Sequence, residues 1–501
     1  MTLRPALLCT LIVSAFAATS AHAAIDLIAV GSLTQANDLS GLSGTLENGA
    51  AASMLGGIGS GLAWAGGSTF LALPDRGPNA VTWNSALNDT TSYIARFQTV
   101  NLALTKTGTT FTVTPTLTGT TLLYSNTALT YGAAGSGAFG PGSPATAVSW
   151  AAGAPSINTS NKFYFTGRSD GFDPSQSSLN GSNARLDTEG LRVSNDGRSV
   201  YISDEYGPYV YQFDRATGAR IRTFTLPANL GITNLSAVGA TEISNNTASG
   251  RIANKGMEGL AITPDGSTLY GFMQSPLAQD GGDGKRYNRI VKINIASGAV
   301  NEYAYDSKVL DPASTTGASK TYNSSELLAV NDHQFLVLER DGKGLGDGSP
   351  AVMKQLRLVD LAGASDVSGV ASLPGNADSS LARSGTLFLD IAANLKSHGY
   401  AATDIPAKIE GAAFGADFVD GGVTHHTLYI ANDNDFVPAS AGANKFFVFS
   451  FTDADLAAKG VTSFSNQTIS AVPEPQSWAL MVGGIALLGV LKRRRAAPPA
   501  A

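Results

Sequence analysis

Asp187-Thr188-Glu189-Gly190-Leu191-Arg192-Val193-Ser194-Asn195-Asp196-Gly197-Arg198-Ser199-Val200-Tyr201-Ile202-Ser203-Asp204-Glu205 reads as two strands joined by a tight turn, with a glutamate near its start and two acids at its finish. Asn195-Asp196-Gly197 supplies the positive φ that a short hairpin requires, and Val200-Tyr201-Ile202 has the β-branched and aromatic character of a strand. Four other segments share this grammar. They are Gly61-Leu62-Ala63-Trp64 leading to Phe70–Arg76, Glu258-Gly259-Leu260 leading to Leu269–Phe272, Glu326-Leu327-Leu328 leading to Phe335–Arg340, and Glu410-Gly411-Ala412 leading to Leu428–Asp433. Pro264-Asp265-Gly266 repeats the turn. Asp214–Gly218 and Asn294–Gly298 end a third strand in two of the units. A unit of three or four antiparallel strands, repeated along a chain, is a propeller blade.

Spacing sets the expected number of blades. The glutamates at 189, 258, 326 and 410 lie 69, 68 and 84 residues apart, while Gly61 and Gly190 are separated by 129, room for one more unit. Lys162–Arg168 is the candidate inner strand of that unit. The expected fold is therefore an all-β, six-bladed β-propeller over residues 24–470, with a strand near Ile25–Val30 closing the ring beside Lys445–Phe451. A pair of β-sandwiches is the rival, but it does not predict a glutamate recurring at one phase of the repeat.

Both ends read as sorting signals. Arg4, an apolar run from Ala6 to Ala18, and Ala21-His22-Ala23 have the layout of a secretory signal peptide over residues 1–23. At the other end, in residues 471–501, Val472-Pro473-Glu474-Pro475 precedes an uncharged stretch of 14 residues, Trp478–Leu491, and then Lys492-Arg493-Arg494-Arg495. This order resembles the PEP-CTERM sorting tag of exopolysaccharide-making Gram-negative bacteria. The resemblance implies a short C-terminal apolar transmembrane helix, recognition by an exosortase, and delivery to the periplasm, cell surface or medium. The stretch is short against the roughly 20 residues that span a bilayer comfortably.

The body between these ends has no cysteine, because Cys9 falls in the signal; disulfides, thiol nucleophiles and thiolate metal sites are excluded there. Of 33 basic and 39 acidic residues, five basic and one acidic belong to the ends, which leaves the body at a net charge of about −10. So acidic a body is unsuited to nucleic acid and suited to cations. Gly135-Ser136-Gly137-Ala138-Phe139-Gly140 matches a dinucleotide fingerprint by letter only, since no βαβ unit surrounds it. No Gly-x-Ser-x-Gly elbow is present.

The repeat brings charged residues together. Glu189, Glu258, Glu326 and Glu410 occupy one phase and are expected to converge near the propeller axis. A second set follows the second strands: Asp75-Arg76, Arg168-Ser169-Asp170, Asp204-Glu205, Glu339-Arg340 and Asn432-Asp433. Converging carboxylates raise one another's pKa unless cations intervene, and calcium accepts six to eight oxygen ligands in loose geometry. Glu189, Glu258, Glu326, Glu410, Asp75 and Asp433 are the expected metal ligands. Asp204, Glu205 and Glu339 are the candidate general bases, and Arg76, Arg168 and Arg340 the candidates to stabilise developing negative charge. For any single glutamate the alternative is a structural bond to the backbone of the next blade. Asp341-Gly342-Lys343-Gly344 with Asp347, and Asp433-x-Asp435, are further oxygen-rich loops with the donors for calcium, solvated hairpin tips being the alternative.

Leu62-Ala63-Trp64 with Leu73–Gly77, Asp187–Leu191, Ile202–Gly207, Lys255–Leu260 and Lys408–Gly411 together resemble the "esterase-like activity of phytase" family, the phytase-like propellers. The resemblance covers roughly Gly56 to Thr452 and implies a propeller that hydrolyses ester or phosphoester bonds. The Asp-Ala-x-Asp-Asp-Pro-Ala signature of calcium-dependent propeller phytases is absent. The expected function is a secreted, calcium-dependent hydrolase of phosphate or carboxyl esters. The alternatives are a non-enzymatic exopolysaccharide-binding propeller and a metal-dependent sugar lactonase.

Overall fold

The computed structural model describes residues 25–79, 90–132, 153–307 and 322–470. The expected signal, the expected sorting segment with the apolar helix implied for it, and the Gly135–Gly140 match lie outside them. Among the described residues no helix is long and apolar enough to cross a membrane.

The strands are β1 (Asp26–Leu33), β2 (Gly61–Trp64), β3 (Thr69–Leu73), β4 (Arg96–Thr107), β5 (Thr110–Leu122), β6 (Tyr124–Ser125), β7 (Phe163–Tyr164) and β8 (Thr188–Val193). There follow β9 (Ser199–Asp204), β10 (Val210–Asp214), β11 (Arg220–Thr223), β12 (Met257–Ile262), β13 (Thr268–Met273), β14 (Tyr287–Asn294), β15 (Val300–Asp306) and β16 (Asn323–Ala329). The last are β17 (Gln334–Arg340), β18 (Lys354–Asp360), β19 (Ala382–Ser384), β20 (Thr386–Asp390), β21 (Lys408–Phe414), β22 (Phe418–Asp420), β23 (Val423–Asp433) and β24 (Asn444–Phe451). Five sheets form blades: β2-β3-β4-β5, β8-β9-β10-β11, β12-β13-β14-β15 with β19 added, β16-β17-β18-β20, and β21-β23-β24-β1.

The ring closes as the sequence implies. β1 pairs antiparallel with β24, from Asp26 opposite Ser450 to Leu33 opposite Asn444, so the N-terminal strand completes the last blade. The number of blades differs from expectation. Among the described residues the five inner strands β2, β8, β12, β16 and β21 touch in cyclic order, and each of the five blade interfaces has its own apolar cluster. The segment expected to supply a sixth inner strand forms only the β6–β7 ladder, Tyr124 opposite Tyr164 and Ser125 opposite Phe163. Beyond it, Thr166 bridges Ile94 and Arg185, and Phe165 joins the apolar cluster between the first two blades. The insertion is wedged between blades instead of lining the axis.

The inner strands meet closely because glycine faces glycine or backbone. A Cβ on Gly61 would lie 2.3 Å from the Glu189 carbonyl oxygen, and one on Gly190 would lie 2.5 Å from Leu260 Cβ. Gly259 and Gly411 are as tightly confined, with 2.8 and 2.9 Å to backbone of the next blade. At the same position the fourth blade carries Glu326 in place of glycine.

That glutamate pairs with Arg192 at 3.0 Å, and the two side chains bolt the ring together at its axis. Glu326 accepts from the Leu260, Leu327 and Ala412 amides, while Arg192 donates to the Leu62, Leu191 and Leu327 carbonyls. One ion pair thus touches the backbone of all five blades. Below it, Gln467 donates to the Val193 carbonyl, Asn466 to that of Gly415, and the Ser465 amide to that of Val330, so residues 461–470 cross the far end of the channel. Arg192→Met should lower unfolding stability by about 2–3 kcal/mol, since it strips partners from a buried carboxyl and three carbonyls. Urea titration of the variant measures this, and a loss below 0.5 kcal/mol, the ordinary scatter of surface substitutions, would contradict an axial bolt.

Candidate functional site

Each inner strand starts, and each second strand ends, at the same rim, because the two form a hairpin: Thr188 opposes Asp204, Asn323 opposes Arg340 and Lys408 opposes Asp433. The rim surrounds a cavity of about 620 Å³. Asp75, Arg76, Glu189, Glu205, Glu258, Arg340 and Glu410 line it, together with Lys255, Lys408 and Asp435.

Bulges aim the glutamates into this space. The ladder skips a register at Glu189-Gly190 in β8, at Glu258 in β12 and at Glu410-Gly411 in β21. A bulge re-aims the side chain that it carries. In β16 the irregularity falls on Ser325, one residue before Glu326. Glu326 therefore takes the glycine position and lies in the axial bolt, away from the cavity. This is the backbone-bonding role that the sequence left open for any one glutamate.

Other expected site residues are also held elsewhere. Asp204 accepts from the Asp187 and Gly207 amides, both at 2.6 Å, and fixes the loop behind the mouth. Glu339 accepts from the Tyr305 hydroxyl at 2.7 Å, between blades. Arg168 forms a two-pronged pair with Asp170, at 2.8 and 2.7 Å, and lies 3.6 Å from Glu47. Asp341 is engaged by Lys354 Nζ at 2.5 Å and by the Val352 and Met353 amides. Asp433 sits directly behind the cavity wall, bonded to Lys408 Nζ at 2.5 Å.

The repeat spacing did not mark Asp187 or Lys408 as site residues, whereas Asp435 belongs to the oxygen-rich Asp433-x-Asp435 loop. Asp187 accepts from the Arg76 amide at 3.1 Å and from its guanidinium at 2.7 Å, and Arg76 also reaches Asn254. Carboxylate oxygens of Asp187, Glu189 and Glu205 lie within 4.8 Å of one another, as do those of Asp75, Asp433 and Asp435. Lys408 Nζ stands in the second group, 2.7 Å from Asp435 and 3.5 Å from Glu410. Arg340 pairs with Glu410 and lies 4.0 Å from Glu258.

Crowding acid in a buried site raises its pKa. Burial, then the Glu258 and Asp187 charges, pushes the Glu189 and Glu205 carboxyls well above the usual range. Burial and Asp433 do the same to Asp75. Burial would raise Asp435 too, but Lys408 outweighs it and that carboxyl is lowered. Three buried carboxylate oxygens, Glu205 Oε1, Glu258 Oε2 and Glu410 Oε2, meet no donor among the described residues, and the Glu205 and Glu258 carboxyls lie close enough to hydrogen-bond only if one of them holds a proton. Buried acceptors in that condition require a proton or a cation. An all-oxygen donor set fits a hard divalent ion such as calcium.

Backbone strain marks the same rim. Asn254, Asp435 and Phe436 are the three non-glycine residues with positive φ among those described, and all three line the cavity. Such conformations cluster where a site is preorganised.

Residues 53–436 match the family described as Phytase-like: Esterase-like activity of phytase. The chain belongs to this phytase-like family. Over 194 residues the phytase-like chain is 36% identical to an uncharacterized secreted protein of Arthroderma benhamiae, covering 34% of the chain and 37% of that relative. It thus spans little more than a third of the relative's length. Among solved structures it aligns with a gluconolactonase of Xanthomonas campestris, at 11% identity, 79% and 86% coverage and TM-score 0.29. The periplasmic gluconolactonase of Pseudomonas aeruginosa gives 11%, 82% and 86%, and 0.28. Likeness at that level carries no functional weight.

Proposed function

We propose that this phytase-like propeller is a divalent-metal-dependent hydrolase, calcium being the favoured ion, that cleaves phosphate or carboxyl esters in its mouth. The observation that carries the reading is the set of buried, unpartnered carboxylate oxygens of Glu205, Glu258 and Glu410 facing one cavity with Arg76 and Arg340. Asp187, Glu189 and Glu205 would hold the ion. When bound, it would polarise the ester oxygen and make a bound water more acidic.

The side chains of the chain supply the rest. Glu258, unpartnered at Oε2, is placed to take the proton of the attacking water. Arg340 and Arg76 each keep a buried Nε without a partner among the described residues, and these donors can stabilise negative charge developing on the substrate. Glu410 holds Arg340 in place, as Asp187 and Asn254 hold Arg76.

Export belongs to the same proposal, since residues 1–23 have the layout of a signal and the fungal relative carries the description secreted. Passage through an exosortase and association with exopolysaccharide rest on the residues at 472–495 alone.

The test is turnover of a panel of aryl phosphates, aryl carboxylates and sugar lactones, lactones being cyclic carboxyl esters. Calcium is removed by a chelator and then restored. Turnover of at least one substrate should fall about 100-fold or more on removal and recover on restoration, the scale expected when a Lewis acid is lost. Hydrolysis unaffected by the chelator would refute metal dependence, and no hydrolysis of any ester would refute the enzyme.

A further inference from the structure

Two groups of three acids lie in and directly behind the mouth, and they are neutralised differently. In the group Asp75, Asp433 and Asp435, the ammonium of Lys408 already stands among the carboxylates, 2.5 Å from Asp433 and 2.7 Å from Asp435. Calcium–oxygen distances are 2.3–2.6 Å, so this ammonium takes about a metal ion's place against Asp433 and Asp435, while it makes no ion pair with Asp75 among the described residues. It arrives from the first residue of β21, with its side chain 25% exposed, and a third acid, Glu410, is 3.5 Å away. The other group, Asp187, Glu189 and Glu205, makes no ion pair with a lysine among the described residues. Arg76 satisfies Asp187 from one side, and Glu205 Oε1 stays unpartnered.

We infer that Lys408 is a tethered cation filling one of two cation positions in the mouth, so that the protein takes up a single divalent ion and loss of Lys408 opens a second site at Asp75, Asp433 and Asp435. The inference rests on the metal site proposed above at Asp187, Glu189 and Glu205. A lysine carries one charge where calcium carries two, and its N–H groups are spent on the carboxylates. It therefore neutralises this half of the mouth without offering an open coordination position to substrate. Asp433 helps hold the pocket in shape, because its Oδ1 accepts the Asp435 amide at 3.0 Å and Gly57 leaves it room: a Cβ on Gly57 would meet that oxygen at 1.6 Å.

Calcium stoichiometry tests this on the purified full chain, by equilibrium dialysis with metal analysis. Wild type should bind one ion, Lys408→Met two, and Lys408→Arg, which keeps the charge, one. Adding Asp433→Asn to Lys408→Met should return the number to one. Equal stoichiometry in wild type and Lys408→Met, or two ions in wild type, would overturn the inference. No ion in wild type but one in Lys408→Met would uphold Lys408 as the stand-in while removing the metal site of the proposed hydrolase. Should Lys408→Met fail to fold, Lys408→Gln, which keeps a polar head without charge, carries the same readout.

Discussion

Glu258→Gln is expected to lower kcat for ester hydrolysis by about 10²–10⁴-fold, the range for losing a positioned general base, while calcium still binds. Glutamine keeps the shape of the side chain and its place on the β12 bulge, but cannot take a proton. The group is 3% exposed, and its Oε2 meets no donor among the described residues, so little structure depends on it. KM should move little, because the lost interaction belongs to the transition state. Glu339→Gln is the matched control. Glu339 is an equally buried glutamate bonded to Tyr305 between blades, and its replacement should leave turnover within about twofold while reducing stability. A Glu258→Gln protein that retains more than a tenth of wild-type kcat would remove this residue as the base.

The hairpin grammar carries the fold because each local choice agrees with the repeat: turn residues, alternating strands and a closing strand all point to blades. Blade number did not follow, because length alone does not separate a blade from an insertion. The stretch between Gly61 and Gly190 is long enough for a unit, yet Phe163–Arg168 lacks the Glu-Gly-Leu start that marks an inner strand. The same signal resolves Glu326. Aligned on the leucines Leu191, Leu260 and Leu327, the residue matching Glu189 and Glu258 is Ser325, and Glu326 matches the glycines. Aligning on the acids shifts the phase by one residue, and in a strand one residue changes which way the side chain points. Asp187 lay within the quoted motif but outside the repeat phase. Asp435 is legible as the partner of Asp433 in an oxygen-rich loop, but Lys408 flanks a phased residue and its role arises only when β21 and β23 pair. Spacing reports periodic positions and is silent on what flanks them.

In the absence of calcium, stability should fall as pH rises from 5 to 7.5, by an amount on the order of 7 kcal/mol or more. Burial raises Asp204 and Glu326 to about 7, and burial outweighs Lys408 to place Asp433 at about 7 as well. Unfolded, each of these carboxyls ionises near 4. Between those values the folded chain holds protons that the unfolded chain has released, so each group costs about 1.4 kcal/mol per pH unit as pH climbs through the window. The range is chosen to isolate that effect. Above it, Lys354, lowered to about 8 by burial and by Arg340, begins to act in the opposite sense. Below it, carboxyls held down by partners, such as Asp366 at about 2 through its bonds to Ser368, begin to take up protons. Glu189, Glu205, Glu410 and Asp75, all raised by burial first, add to the same slope. Calcium changes the sign of their surroundings. An ion beside Glu189 and Glu205 favours their ionised forms, so saturating calcium should remove their share of the slope, leave that of Asp204, Glu326 and Asp433, and give its largest stabilisation at the upper end of the range. Urea unfolding in chelator and in calcium at several pH values between 5 and 7.5 measures both. Stability that rises with pH in chelator would mean that the buried carboxylates, in the mouth and behind it, are ionised and compensated in the folded chain without a metal, against the raised values of Asp204, Glu326 and Asp433.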